Sequence, residues 1–311
     1  TVVVLGIGGM NILIDMGRPD RLFNVFEFGR YQSPLLWDVT SITTYLTGSV
    51  LYLYLPLIPD IAILRDTSTK FRWLYAVLAM GWRGTKRQHE TLERAIAVMA
   101  VLVIPIAVSV HTVVSFVFSM TLQPMWHSTI FGPYFVVGAI FSGLAALLIC
   151  MAVIRKAYGL QRYLKEVHFN NLAVLLLIMA FLWFYFTFAE YITSYYGNEP
   201  EEMKVFWSKF DGPYAVFFWT MLVCNFVIPV LLLAPRRFRK IPGIMVASVS
   251  ICIGMWLERF IIVVQTLANP RIEYGTGLYV ATAVEFGETL LCFSLFILAY
   301  MVFSKVFPII S

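Results

Sequence analysis

Seven ionisable side chains stand inside stretches that are otherwise hydrocarbon: Asp38, His111, Glu190, Glu258, Arg259, Glu285 and Glu288. A charge in an apolar helix costs several kcal/mol unless it is paired or hydrated, so each of these is a candidate for chemistry. Histidine titrates near neutral pH and can act as a base, while a carboxylate can accept a hydrogen bond or carry a proton. Asp38, in SPLLWDVTSITTYLTG, is followed by Thr40, Ser41, Thr43 and Thr44. His111, in VIPIAVSVHTVVSFVFSM, comes six residues after Pro105, which frees the carbonyl near Val101 and bends the helix beside it.

Asp38 and His111 together supply what oxidation of a quinol requires, namely hydrogen-bond partners for a ring hydroxyl and a base. The alternative for His111 is a satisfied contact between helices. Glu258 and Arg259 point about 100° apart on a helix, so each is expected to find a partner elsewhere. Glu285 and Glu288 share a face, where like charges call for an arginine between them, Arg259 being the candidate, or for a proton held on one of them. Glu190 joins that cluster or belongs to an exit path for protons. A structural ion cluster locking the last helices is the competing reading of these groups.

Other chemistries find no support. His89, His127 and His168 lie in loops or at helix ends, so bis-His haem ligation is not expected. Cys150, Cys224, Cys252 and Cys292 sit singly in apolar runs without metal-type spacing and read as core residues. There is no Walker A, HExxH or Rossmann glycine pattern. No haem or metal is expected in this chain, so electrons taken from a quinol must leave to a partner.

The elements that position these groups follow from composition. The chain has 311 residues, 60% hydrophobic and 13% charged, far from the roughly one-quarter charged residues of a soluble domain. Eight apolar stretches, near 1–14, 35–58, 91–118, 130–154, 168–196, 212–234, 241–267 and 280–307, have or approach the length that spans a bilayer. The expected fold is an all-α integral membrane protein of about eight transmembrane helices. It divides into a first four-helix bundle at 1–154 holding the quinol site, a cytoplasmic connection at 155–167 and a second four-helix bundle at 168–311. The first stretch starts abruptly at Thr1 and is read as the surviving end of a longer helix.

Of the 23 Lys and Arg residues, only Arg18, Arg21, Arg30, Lys204, Lys209 and Arg271 fall on one side of such a topology; all others except Arg259 fall on the opposite, cytoplasmic side. The net charge of +5 therefore reflects topology and needs no nucleic acid. Taking helix direction and rise together, the buried ionisable groups all fall in the outer half of the membrane, most of them roughly 10 Å below its surface. The longest connection, Pro59 to Glu90, mixes basic residues with Trp73, Tyr75 and Trp82 and suits a helix in the headgroup layer, or a docking surface for a neighbouring subunit.

Three segments carry a resemblance. DMGRPDRLFNVFEFGRYQSPLLWD (Asp15 to Asp38) resembles the Asp-x-Gly-Arg-Pro loop and Ser-Pro-x-x-Trp-Asp motif of the NrfD/polysulfide-reductase membrane-subunit family. Ser109 to Gly143 and GMWLERFIIVV (Gly254 to Val264) look more narrowly like the NrfD-type subunits of alternative complex III, and most like its quinol-binding ActC type, with the paralogue ActF as the other possibility. The resemblance implies two four-helix bundles holding quinol, here expected to be menaquinol, near the outer face of a bacterial cell membrane. It implies an iron–sulfur partner subunit on the periplasmic side, a paralogous NrfD-like membrane subunit, cytochrome c-containing subunits and surrounding lipid, in a respiratory or photosynthetic chain. Tyr31 and Trp37 are then expected as walls for the quinol ring, and Arg18 and Arg21 as residues that order the outer loop or bind the partner. Val117 departs from the acidic residue that relatives often carry, and His127 matches the family's Trp-His.

Overall fold

A backbone in hydrocarbon must satisfy its own N–H and C=O groups, so apolar runs of this length fold as helices. The computed structural model describes residues 1–67, 71–269 and 279–307, and within them every regular element is helical. Lys70 and Arg271, used in the charge count, lie outside the described residues. The helices are α1 (Val2–Asp15), α2 (Asn24–Glu27), α3 (Pro34–Thr67), α4 (Arg72–Leu78), α5 (Lys86–Ser119), α6 (Phe131–Ala157), α7 (Glu166–Gly197), α8 (Pro200–Asp211), α9 (Ala215–Leu222), α10 (Ile228–Leu233), α11 (Ile241–Phe260) and α12 (Ala283–Val306). A 3-10 turn lies at Pro19–Arg21 and π turns at Val223–Val227 and Ile261–Gln265. Among the described residues, seven helices are long and apolar enough to cross a membrane, and eight if α1 and the segment Pro19–Glu27, bent from it by 116°, form one span. This is the multi-pass all-α architecture expected from hydropathy.

Two connections carry short helices of their own. Within the segment Pro59 to Glu90, α3 continues to Thr67 with Pro56 and Pro59 inside it, α5 already begins at Lys86, and the connection holds the short α4, whose Trp73 and Val77 are exposed. Between them the short α4 packs inward, with Tyr75 and Ala79 buried against Ile61 and Ala62. Arg65 Nη1 donates to Trp82 O at 3.0 Å, and Gln88 Oε1 accepts from Arg83 N at 2.9 Å, so polar side chains tie down this connection. The other is α8, between the apolar stretches 168–196 and 212–234, where hydropathy gives no span; its Val205, Phe206 and Lys209 form a buried face.

The chain forms two compact units. The first comprises Thr1–Val113 and Val280–Ser311; in it α1 packs on α12 and α3, and the Cys292 thiol reaches Asn11 Oδ1 at 3.2 Å. The second comprises Val114–Tyr279, with α6, α7 and α11 at its centre. These units are grouped by contact rather than by the sequential halves 1–154 and 168–311, α6 packing with α7 and α11.

In the second unit Phe141, Leu148, Phe169, Leu176, Trp183 and Ile251 are fully buried. Both π turns there expose a backbone carbonyl that a side chain then satisfies. Pro229 has no N–H to give Asn225 O, and the wider turn before it absorbs the missing bond; Cys224 O accepts from Ser250 Oγ at 2.9 Å. In the turn after α11, Ile262 O accepts from Trp126 Nε1 at 2.7 Å.

Candidate functional site

In the first unit, the turn after α2 and the start of α3 enclose a surface cleft of about 540 Å³ lined by Phe26, Gly29, Tyr31, Leu36, Trp37, Thr40 and Ser41. Trp37 Nε1 donates to Tyr31 O at 2.5 Å, which pins the loop to the helix and brings the two expected ring walls together. The hydroxyls of Thr40, Ser41, Thr43 and Thr44 bond back to carbonyls of their own helix at 2.8–3.0 Å, so they leave only oxygen lone pairs for a guest.

Asp38 follows Trp37 on α3 but does not line the cleft; its Oδ1 is buried without a hydrogen-bond partner among the described residues. His111 lies on α5 of the same unit. α3 and α5 approach where a Cβ on Gly48 would stand 3.7 Å from Ile106 Cδ1. By helical rise, Asp38 is about 15 Å and His111 about 7.5 Å along its own axis from that approach.

Glu285 marks the start of α12. It is the third residue of α12, and its carboxylate closes a capping box by accepting from the backbone N–H and hydroxyl of Thr282. Glu288, a turn further on, keeps a buried Oε1 without a hydrogen-bond partner among the described residues.

In the second unit Glu258 is 2% exposed, and its Oε1 accepts hydrogen bonds from the Tyr134 hydroxyl and, at 2.6 Å, from Trp183 Nε1. These neutral donors, from α6 and α7, hold a carboxylate that no adjacent cation could reach squarely. Arg259 Nη2 stands 3.9 Å from Glu258 Oε2, the outer limit of an ion pair, and its guanidinium lies 3.9 Å from the centre of the Phe135 ring. The guanidinium fits there because Gly138 of α6 carries no side chain: a Cβ would come within 2.9 Å of Arg259 Nη2.

Glu190, also buried, is not part of that hydrogen-bonded group. Its Oε2 accepts from Ser128 Oγ at 2.7 Å. It lines two spaces at once: an open cleft of about 560 Å³ with His127, Ser128, Thr129, Phe116 and Met120 on its walls, and a narrower cavity of about 30 Å³ among Trp126, Phe131, Tyr134, Lys209, Ile262 and Thr266.

Lys209 reads from sequence as an exposed loop charge; the structure buries it to 4% exposure, with its ammonium 5.2 Å from the centre of the Tyr191 ring. Burial pushes this ammonium down from 10.5 to about 8, while the charges of Glu190 and then Glu202 pull it back up. Glu202, on the same helix, is held above the ordinary carboxylate range by burial and by Glu199, with His127, Ser194 and Lys209 opposing. Tyr134, Trp183, Ser128, Lys209 and Thr266 are the site residues that sequence reading missed. For Lys209 a signal existed, since Val205, Phe206 and Lys209 recur at helical spacing on one face of α8.

Among the described residues no group of three His, Cys, Asp or Glu side chains could hold a metal ion. Each unit thus combines buried titratable side chains with a cleft at its surface.

Comparison with known proteins agrees with this architecture. Over 308 aligned positions, 91% of this chain and 67% of the relative, the chain is 27% identical to a Halobacterium salinarum protein provisionally named as a membrane subunit of dimethyl sulfoxide reductase. Over 277 positions, 86% of this chain and 63% of the relative, it is 22% identical to a selenate reductase subunit of Mesobacillus selenatarsenatis. The chain thus spans about two thirds of the length of these relatives. A family model described as polysulphide reductase, NrfD, matches residues 1–270, and the chain belongs to that family of membrane subunits.

Proposed function

We propose that this chain is the quinol-oxidising membrane subunit of a multi-subunit oxidoreductase. The observation that carries the reading is the Tyr31–Trp37 cleft, next to which Asp38, on the same helix, keeps a buried carboxylate oxygen without a hydrogen-bond partner among the described residues. A cleft of this size, largely apolar with a few polar groups, suits a ring with a lipid tail. Quinol, menaquinol in the first instance, enters from the lipid and places its ring against Tyr31 and Trp37. Asp38 and His111 accept hydrogen bonds from the ring hydroxyls. Oxidation to the quinone releases two protons and two electrons; His111 takes up a proton as base, and the electrons pass to an iron–sulfur partner subunit on the outer side of the cell membrane.

The narrower proposal, an ActC-type subunit of alternative complex III with a paralogous membrane subunit and cytochrome c-containing subunits, is supported by the segments Ser109 to Gly143 and Gly254 to Val264. The relatives' names favour a reductase complex as the second setting, in which the chain's own task is the same. A second role for the unit with Glu190, Glu258 and Arg259, that of a proton path rather than a structural cluster, is favoured by the access of Glu190 to a surface cleft. Glu285 and Glu288 of the first unit remain candidates for the same traffic.

The test is quinol turnover by the assembled complex carrying His111→Leu. A base contributes roughly 10²–10⁴-fold, so turnover should fall by at least about a hundredfold. Turnover at the native rate removes His111 from the role.

A further inference from the structure

Glu190 has access to the surface on one side and, on the other, to a small, largely apolar space into which Lys209 and Thr266 also open. A purely structural ion cluster needs neither. This cavity, about 30 Å³, has room for about two waters. Its wall carries Thr266, which is fully buried and whose Oγ1 has no hydrogen-bond partner among the described residues. An unsatisfied buried hydroxyl facing a space of this size calls for water. Lys209 and Tyr134 line the same cavity; the Tyr134 hydroxyl accepts from Thr187 Oγ1 at 3.4 Å and donates to Glu258.

We propose that the second unit is a proton-loading site in which Glu190 takes protons from the surface cleft and passes them, through water in the cavity beside Lys209, to Tyr134 and on to Glu258.

The inference deepens the proton-path reading of these carboxylates and is independent of the quinol site. The step balances without a redox partner. A proton from cleft water forms an O–H bond on Glu190. That bond breaks toward a cavity water, which in turn delivers a proton to the Tyr134 oxygen as the original Tyr134 proton moves to Glu258 Oε1. Water and tyrosine are restored, Glu190 is a carboxylate again and Glu258 is a carboxylic acid.

The surrounding charges fit this sequence. Glu190 faces Ser128, Lys209 and Glu202; Lys209 faces Glu190, Glu202 and the Tyr191 ring. Lys209 therefore balances the Glu190 carboxylate in the unloaded state. Glu258 faces Tyr134, Trp183 and Arg259, and Arg259 balances it before it is loaded.

Hydrogen–deuterium exchange of the carboxyl groups, followed by infrared spectroscopy on the full chain in lipid nanodiscs after transfer to D2O, tests the route. Glu190→Gln and Glu258→Gln assign the two bands. Tyr134→Phe should slow exchange at Glu258 roughly tenfold or more and leave exchange at Glu190 unchanged, because a phenyl ring has no proton to hand on. Glu190→Gln should slow Glu258 exchange to a similar extent. Trp183→Phe, which removes the other donor to the same oxygen, should not slow it. Native exchange at Glu258 in both Tyr134→Phe and Glu190→Gln overturns the proposal, as does slowing by Trp183→Phe equal to that by Tyr134→Phe. Quinol turnover of the assembled complex, measured in parallel, reports on the other unit, so failure of one proposal is distinguishable from failure of the other.

Discussion

Replacing Lys209 by Met should change how the stability of the protein depends on alkaline pH. The side chain is buried against Tyr191, and Met fills nearly the same space without a charge, so no large hole is left. Burial lowers the ammonium from 10.5 to about 8, which at ~1.4 kcal/mol for each tenfold change in proton affinity corresponds to about 3 kcal/mol. The sign follows from which state binds the proton more tightly. Unfolded chain holds it up to about 10.5 and folded chain only to about 8, so folding carries the full penalty below 8 and sheds it as pH rises to 10.5. Wild-type protein should therefore gain about 3 kcal/mol relative to Lys209→Met between those two pH values. Unfolding in detergent micelles, followed by tryptophan fluorescence on both proteins across this range, measures the difference; titration of other groups is common to both and cancels. Parallel curves would refute the argument, because they would mean that Lys209 is as well solvated in the folded protein as in the unfolded one.

Two further outcomes follow from packing. Gly254→Ala puts a methyl group within 2.7 Å of Asn225 Cγ and 2.9 Å of Cys224 Cβ at the π turn, and should destabilise the fold by about 1–3 kcal/mol; Gly143→Ala, whose Cβ meets nothing within 4 Å, should be neutral or stabilising by up to about 1 kcal/mol. Unfolding in detergent micelles compares the two, and equal effects would contradict the close approach of α11 to Asn225. Thr282→Ala removes the capping box and should lower stability by about 1 kcal/mol, while Glu288→Gln, one turn on, leaves the cap intact; equal loss in both would contradict the capping role given to Glu285.

The spans were legible because hydrocarbon solvent leaves a backbone no alternative to the helix, and their lengths follow from bilayer thickness. α8 was not, because PEEMKVFWSKFD is too short and too charged to register as a span, and its burial depends on Met125 and Tyr191, from elsewhere in the chain, packing around Val205 and Phe206. For the same reason Lys209 read as a topological charge. Glu258 was legible as a buried charge but its partners were not: Tyr134 and Trp183 are 124 and 75 residues away in sequence, and only the packing of α6 and α7 on α11 brings them to one oxygen. Thr282 and Glu285 mark the start of α12 by capping chemistry, a signal that hydropathy, which began the stretch at 280, does not carry. Tyr31 and Trp37 were expected as walls and do share a cleft, through a bond from Trp37 to the Tyr31 carbonyl that spacing alone does not specify.

The central claim, that quinol meets this chain in the first unit, is tested most directly by photo-cross-linking the assembled complex in its membrane with an azido-quinone that competes with quinol turnover. The account predicts covalent label on peptides containing Tyr31 and Trp37 or His111, lost when excess quinol is present. Label confined to the cleft of the second unit beside His127 and Glu190, or to partner subunits alone, while turnover is blocked, would contradict it.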